Sequence, residues 1–383
     1  MSGKRDRYIS VVIGPASRFR SRLLRWYELH RRNLPWRAPP ERSADPYLVL
    51  VSEAMLQQTQ VATVVGYFQR FVATLPTLHD LAAADEQQVL RLWQGLGYYR
   101  RARNLHRAAR EIVARFDGQV PREVSTLLQL PGVGRYTAGA IASLAYGVRA
   151  PVLDGNVARV LCRLHCIEED PRCKPTQDRL WQLAEQILPA RRVGDFNSAL
   201  MELGATVCTP RAPACPDCPV RGHCRAVERG LQKRIPPPRP RRETPTEQRV
   251  VLVIERQRAG RREVAIEQRP ARGRWSSLWQ FPTSAGVSPE VLARRLGLPV
   301  VTPRRLGVIR HALTHRRYEF AAYAVPAGDR DLADGPAGKR RWVTASELDG
   351  FPLSKPHLLV AQLAGMLLPS DGPSAVARTS GQS

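Results

Sequence analysis

Between residues 17 and 230, apolar positions recur every three or four residues, the spacing of helices that bury one stripe. In SRFRSRLLRWYELHRR, Phe19, Leu23, Trp26 and Tyr27 fall on one face. Asp45-Pro46 reads as an N-cap and a first-turn proline opening a helix through YLVLVSEAMLQQ. Further helical periods run through VATVVGYFQRFVATL, DEQQVLRLWQGLG, ARNLHRAAREIVARF, STLLQL, RYTAGAIASLAYG, NVARVLCRLHCI and QDRLWQLAEQILP. No stretch of this half alternates as a strand does, and nothing repeats. The pattern predicts a mostly α domain over 17–232, two-lobed with a cleft between the lobes.

Beyond it the period changes. RVVLVIE and EVAIEQR read as strands, SPEVLARRLG as a helix, LGVIRHAL and RRYEFAAYAV as strands, and PHLLVAQLAGML as a closing helix. That predicts a smaller α+β domain over 249–368. Between the two, KRIPPPRPRRETPTEQR has five prolines, which suits an extended, solvated linker over 233–248. Residues 1–16 are an N-terminal segment, and 369–383 have the composition of a disordered tail.

Charge narrows the partner. The 383 residues hold 59 Lys and Arg against 34 Asp and Glu, a net charge of +25. A polyphosphate partner explains such an excess, as does a plain bias toward arginine. No run approaches the roughly 18 apolar residues of a membrane span, and the N-terminus lacks the apolar stretch of a signal peptide. An intracellular protein without structural disulfides is the expectation. Of seven cysteines, Cys208, Cys215, Cys218 and Cys224 form C-x6-C-x2-C-x5-C, a spacing that wraps one tetrahedral metal or one cubane cluster. Zinc and iron–sulfur both fit soft thiolates. His223 is redundant beside four thiols, and Cys162, Cys166 and Cys173 read as packing or surface thiols.

LPGVGRYTAGAI, residues 130–141, is helix, tight turn, helix. Gly132, Val133 and Gly134 leave backbone N–H groups at the start of the second helix, an anion site suited to a DNA phosphate. Its bland alternative is an ordinary helix–helix connection.

Taken with LPWR (34–37), VSEAMLQQTQV (51–61), WQGLGYYRRARNL (93–105), VLDGNVARVL (152–161) and the four cysteines, this hairpin resembles the MutY branch of the endonuclease III, or helix-hairpin-helix, superfamily of DNA glycosylases. The resemblance is dense over 17–230 and looser over 249–368. It implies a helix-hairpin-helix glycosylase domain with one 4Fe–4S cluster on the cysteine loop, followed by a Nudix-like domain. It also implies double-stranded DNA with A:8-oxoguanine or A:G mispairs as partner, no membrane, and a monomer. The location follows the organism: cytoplasmic and nucleoid-associated in a bacterium, nuclear or mitochondrial in a eukaryote.

The implied chemistry is hydrolysis of the N-glycosidic bond of adenine. Loss of a poor leaving base from a sugar that becomes oxocarbenium-like asks for an acid on the base and a negative charge near the sugar. Glu53, in the otherwise apolar LVLVSEAML, is the implied acid at adenine N7, its pKa raised by burial. Asp154 reads as a helix N-cap by sequence; the resemblance makes it the oxocarbenium stabiliser or covalent partner. Tyr136 and Asn156 are implied supporting hydrogen-bonders. Bifunctional relatives carry a lysine at the position of Tyr136, and a phenol cannot form the lysine's imine, so Tyr136 implies a monofunctional enzyme.

Gln58 and Tyr98 match residues that insert into or probe the duplex, Thr59 one near 8-oxoguanine, and Trp36 and Arg37 residues lining the adenine pocket. Ser198 departs from the Glu or Gln that relatives carry there. In the second domain RGRWSSLWQFP (272–282) matches a characteristic loop. In HALTH (311–315) Leu313 replaces an aromatic, and Thr314 and His315 are the implied 8-oxoguanine contacts. A catalytic Nudix hydrolase needs a glutamate-rich helix, whereas SPEVLARRLG offers only Glu290, so the domain reads as a recognition module. Three rivals stand behind this reading. They are a bifunctional glycosylase/lyase on oxidised pyrimidines, a non-catalytic DNA-binding module and a nucleotide-pool hydrolase.

Overall fold

The computed structural model describes residues 16–39, 43–238, 243–299, 302–313, 315–328, 332, 335 and 339–368. The chain divides into two units. Met1–Ala83 with Asn104–Pro240 forms the first, and Ala84–Arg103 with Arg241–Ser383 the second. The predicted domain over 17–232 therefore differs from the helical unit, because residues 84–103 pack with the second half of the chain.

The helical unit contains α1 (Ala16–His30), α2 (Pro46–Leu56), α3 (Val61–Thr74) and α4 (Leu78–Ala83). After 104 it adds most of α6 (Arg100–Phe116), then α7 (Val124–Leu127), α8 (Arg135–Tyr146), α9 (Gly155–His165), α10 (Lys174–Gln186), α11 (Val193–Thr206) and α12 (Arg225–Glu228). The predicted face of α1 is the buried one: Phe19, Leu23, Trp26 and Tyr27 join Val157, Leu161, Phe196 and Leu200 in one core. Asp45 caps α2 as expected, accepting from Tyr47 N at 2.7 Å and Leu48 N at 3.4 Å, with Pro46 in the first turn. At the other end of the unit Ile235 is 1% exposed and belongs to the same core. Since β1 starts at Thr246, the linker is shorter at both ends than the solvated 233–248 predicted from prolines.

The second unit begins with α5 (Glu86–Leu92) and the turn that leads to α6. Its sheet comprises β1 (Thr246–Arg258), β2 (Arg261–Gln268), β3 (Trp279–Gln280), β4 (Thr283–Ala285), β5 (Arg304–Leu313), β6 (Arg316–Pro326) and β7 (Arg340–Val343). The order is β3-β2-β1-β6-β5, with β4 on β1 and β7 on β2. β1 and β6 run parallel at the centre, and β5–β6 is an antiparallel hairpin. β1 is buried on both sides in alternation: Val251 and Val253 enter a core with Phe281, Phe320 and Val360, while Leu252 and Ile254 enter another with Leu292 and Val325. Helices α13 (Pro289–Arg295), α14 (Ala345–Leu348) and α15 (Lys355–Leu363) complete it. β7, in KRRWV, escaped the sequence reading because three basic residues hide its short apolar pair. Among the described residues no helix is long and apolar enough to cross a membrane.

Candidate active site

A cavity of about 740 Å³ opens inside the helical unit. Glu53, Tyr136, Asp154, Asn156, Trp36, Arg37, Gln58, Thr59 and Ser198 all line it, although they come from five separate stretches of sequence. The close approach of those stretches depends on small residues. A Cβ on Gly204 of α11 would stand 2.6 Å from Asn156 Cβ, so only glycine lets the start of α9 lie against α11.

Glu53 is 4% exposed because α2 buries residues on every side, Tyr47 and Val49 through Met55 included. Its Oε2 has no hydrogen-bond partner. Burial pushes its pKa up, the Tyr136 phenol within hydrogen-bonding reach pulls it back, the Asp154 charge pushes up and Arg37 pulls down; the outcome is about 7. A carboxylic acid that is part protonated near neutral pH faces the cavity.

Asp154 is both the N-cap and a site carboxylate. Its Oδ1 accepts from Val157 N at 2.7 Å, and its Oδ2 from Asn156 Nδ2 at 3.0 Å. Burial raises its pKa, while Val157, Asn156 and Arg159 hold it down in part. Arg159 in turn donates to Asn156 Oδ1 at 2.8 Å, Gly204 O at 2.7 Å and Cys208 O at 2.8 Å. Asn156 is thereby fixed with its amide NH2 toward Asp154. Tyr136 has its pKa raised well above the ordinary value, first by burial and then by Glu53 and Asp154, so it stays a neutral phenol. Its hydroxyl also points at Met201 Sδ, 3.4 Å away.

Trp36 is 8% exposed, its ring edge-on to Phe68 at 5.3 Å. Arg37 is held by a residue the sequence reading missed. Glu202 on α11 has a fully buried side chain, receives Arg37 Nη2 at 2.7 Å and takes a two-toothed grip from Arg32, at 2.6 and 3.0 Å. Its pKa is lowered: burial opposes ionisation, and the Arg32 and Arg37 guanidinium groups overcome it. The signal was available, since Glu202 sits in ALMELG much as Glu53 sits in VSEAML.

Comparison with known proteins decides the family. Residues 51–186 match the HhH-GPD superfamily of base excision DNA repair proteins, and residues 250–363 match the NUDIX domain. The chain is 38% identical to the adenine DNA glycosylase of Homo sapiens over 88% of this chain and 72% of that protein. With the adenine DNA glycosylase of Mus musculus identity is 40%, over 90% of this chain and 79% of the relative. This chain belongs to the adenine DNA glycosylase family. Its fold is also similar to a solved thermostable thymine-DNA glycosylase, at 31% identity and a TM-score of 0.50, covering 56% of this chain and 97% of that one.

For this adenine DNA glycosylase family member the hairpin glycines divide into two kinds. Gly132 has φ +78°, and a Cβ there would meet Asn104 Cβ at 2.6 Å, so what comes close is the chain's own α6. In front of Gly134 a Cβ would meet nothing within 4 Å. Gly134 is the N-cap of α8 without any side-chain cap, and Val133 is buried. Gln58 and Tyr98 are exposed, both with left-handed backbones, φ +60° and +49°. Tyr98 lies in the second unit and does not line the cavity.

In the cysteine loop, Arg163 is 2% exposed and clamps the chain, donating to Thr209 O at 2.8 Å, Pro210 O at 3.1 Å, Ile235 O at 2.8 Å and Cys208 Sγ at 3.2 Å. The backbone N–H of Val220 faces Cys218, and those of Val227 and Ala226 face Cys224. Among the described residues no three Cys, His, Asp or Glu side chains converge closely enough to hold an ion. The donors that surround the sulfurs are nevertheless those that stabilise metal-bound thiolates, and the set fits such a group. Cys162 is buried and Cys173 exposed, away from this pattern.

In the second unit Leu313 ends β5 and His315 is exposed in the turn. Thr314 lies outside the described residues. Glu290, in the first turn of α13, is the helix's one acid.

Proposed function

We propose that this chain excises adenine mispaired with 8-oxoguanine, and with guanine, from double-stranded DNA by hydrolysing the N-glycosidic bond, and leaves the strand uncut. One observation carries the reading: a cavity that pairs Glu53, a buried carboxyl with a free oxygen and a pKa of about 7, with Asp154, a carboxylate held by Asn156 and Val157.

Protonated Glu53 donates to N7 of the flipped adenine, which takes the electron pair of the breaking C1′–N9 bond. Asp154 stabilises the positive sugar in this low-dielectric cavity. Water adds at C1′ and its proton returns to Glu53, so the acid is regenerated. Tyr136 donates toward Glu53 and keeps its orientation; a neutral phenol supplies no amine, so no imine forms and no lyase step follows. Trp36 and Arg37 hold the base. Gly134 and the start of α8 take a phosphate, and Gln58 and Thr59 face the duplex at the cavity mouth.

Cys208, Cys215, Cys218 and Cys224 would hold one 4Fe–4S cluster, whose part is to lock the 208–224 loop against α9 through Arg163. Iron and sulfide content with visible absorbance tests this. The second unit reads 8-oxoguanine from the 313–315 turn, with Thr314 and His315 as contacts, and the enzyme works as a monomer. A Nudix hydrolase reading loses support because α13 carries only Glu290.

Single-turnover adenine release from an A:8-oxoguanine duplex tests the proposal, with each sample split into untreated and alkali-treated halves. Wild type is expected to release adenine and to give scission only after alkali. Glu53→Gln and Asp154→Asn are each expected to lose at least about 10³-fold in rate. An intact duplex with wild type, or scission without alkali, would overturn it.

A further inference from the structure

The turn that carries Tyr98 is built to hold an aromatic ring out in solvent. Tyr98 is 48% exposed on a left-handed backbone, next to Gly97 at φ +78°, with Gly95 at φ +96°. Trp93 Nε1 and Arg101 Nη2 both donate to Gly97 O, at 3.1 and 3.2 Å. The Arg101 guanidinium, 9% exposed, lies 5.3 Å from the Tyr98 ring centroid and 5.4 Å from that of Trp93. A non-glycine residue kept in this region is strained, and the bracing around it keeps the ring in place. On a strongly basic DNA enzyme, an exposed, braced aromatic is a stacking platform for a base.

Residues of the second unit hold this turn. Gln87 donates to Ser277 O at 3.3 Å and accepts from Trp279 Nε1 at 3.1 Å. Gln94 Oε1 accepts from Leu353 N at 2.9 Å. The Tyr99 hydroxyl accepts from Gly95 N at 3.1 Å and donates to Leu353 O at 3.4 Å. Leu353 is itself bridged to Trp279. The loop that Gln87 grips is strained as well: Gly273, Trp275 and Ser277 alternate in left-handed φ, at +94°, +54° and +63°. From that loop the Trp275 ring reaches His311 on β5 at 6.2 Å and Tyr318 on β6 at 5.3 Å, the hairpin whose tip holds Leu313 and His315.

We infer that Gln87, Gln94 and Tyr99 are positioning residues that fasten the Tyr98 turn, Gln87 to Ser277 of the 271–278 loop and to Trp279, Gln94 and Tyr99 to Leu353 bridged to Trp279, so that reading the base at the β5–β6 tip and stacking by Tyr98 form one element. The preference for 8-oxoguanine over guanine then depends on side chains that touch no DNA. The inference rests on the second unit being the 8-oxoguanine reader.

The test is the ratio of single-turnover adenine release from A:8-oxoguanine and A:G duplexes, measured with the full chain. Gln94→Leu and Tyr99→Phe each remove one tether, and together they are expected to lower the ratio roughly tenfold with the A:G rate unchanged. Gln94→Glu keeps the acceptor for Leu353 N and is expected to keep the wild-type ratio. A 2-aminopurine placed beside 8-oxoguanine reports stacking, and its quenching is expected to weaken only in the tether variants. If Gln94→Leu does not fold, Tyr99→Phe alone carries the test. An unchanged ratio in the variants, or an equal fall on both duplexes, would overturn the inference. A wild type with no preference would instead overturn the reading of the second unit itself.

Discussion

In the helical unit Glu53 is buried with one oxygen unpartnered, whereas on the sheet of the second unit Glu247, Glu255, Glu263, Glu267 and Glu319 each meet an arginine within 2.9 Å. Even the most buried of these, Glu267, is satisfied by Arg340 at 2.9 Å and Gln280 at 3.0 Å. An acid held by an arginine acts as a strut of the sheet. A buried acid left short of a partner costs stability, and chains keep such groups where chemistry needs them. The difference sets the unpartnered carboxyl of the helical unit apart from the arginine-held carboxylates of the sheet. Glu202 shows that burial alone does not make the difference, since it is more deeply buried than Glu53 and fully engaged.

The largest effect expected from this contrast is on stability. Glu53 has a folded pKa of about 7, above the usual carboxylate value of 4.5, so the folded protein keeps a proton that the unfolded chain releases. Its contribution is complete at low pH and is lost as pH rises through about 7. Glutamine never ionises. Glu53→Gln should therefore be more stable than wild type at pH 8, by on the order of 3 kcal/mol, and no more stable at pH 4. Urea unfolding at both pH values checks it. Equal stability at pH 8 would place Glu53 among the struts.

Glu202→Gln should go the other way and lose about 2 kcal/mol in the same unfolding assay, together with adenine release, because Arg32 and Arg37 lose their common anchor. The matched change Glu247→Gln, at a surface pair, should cost under about 1 kcal/mol. A smaller contrast lies within the hairpin. Gly132→Ala meets Asn104 and a left-handed φ, and should lower stability by roughly 1–2 kcal/mol. Gly134→Ala, facing open space, should leave stability within about 0.5 kcal/mol and still weaken DNA binding in a fluorescence titration.

What the sequence disclosed and what it hid follow one physical line. Asp45-Pro46, the apolar face of α1 and the position of Glu53 in an apolar helix are local patterns, and each was legible. The gathering of Glu53, Tyr136, Asp154 and Asn156 in one cavity came from resemblance, since spacing along the chain carries no distance. Contacts between distant segments were hidden. Gly132 looked like a place for a ligand to approach, yet it makes room for Asn104. Residues 84–103 read as plain amphipathic helix and turn, and nothing local showed that Gln87, Gln94 and Tyr99 bond to residues 277, 279 and 353. Ile235 lay among prolines and was taken as solvated, but one apolar side chain there was enough to join the core.

The central claim is that protonated Glu53 works beside ionised Asp154, and the pH profile of single-turnover adenine release tests it most directly. Measured from pH 5 to 9 on an A:8-oxoguanine duplex, the rate should fall about tenfold per pH unit above about 7 as Glu53 loses its proton. A rate that stays flat through pH 7 and beyond, or that rises there, would contradict it.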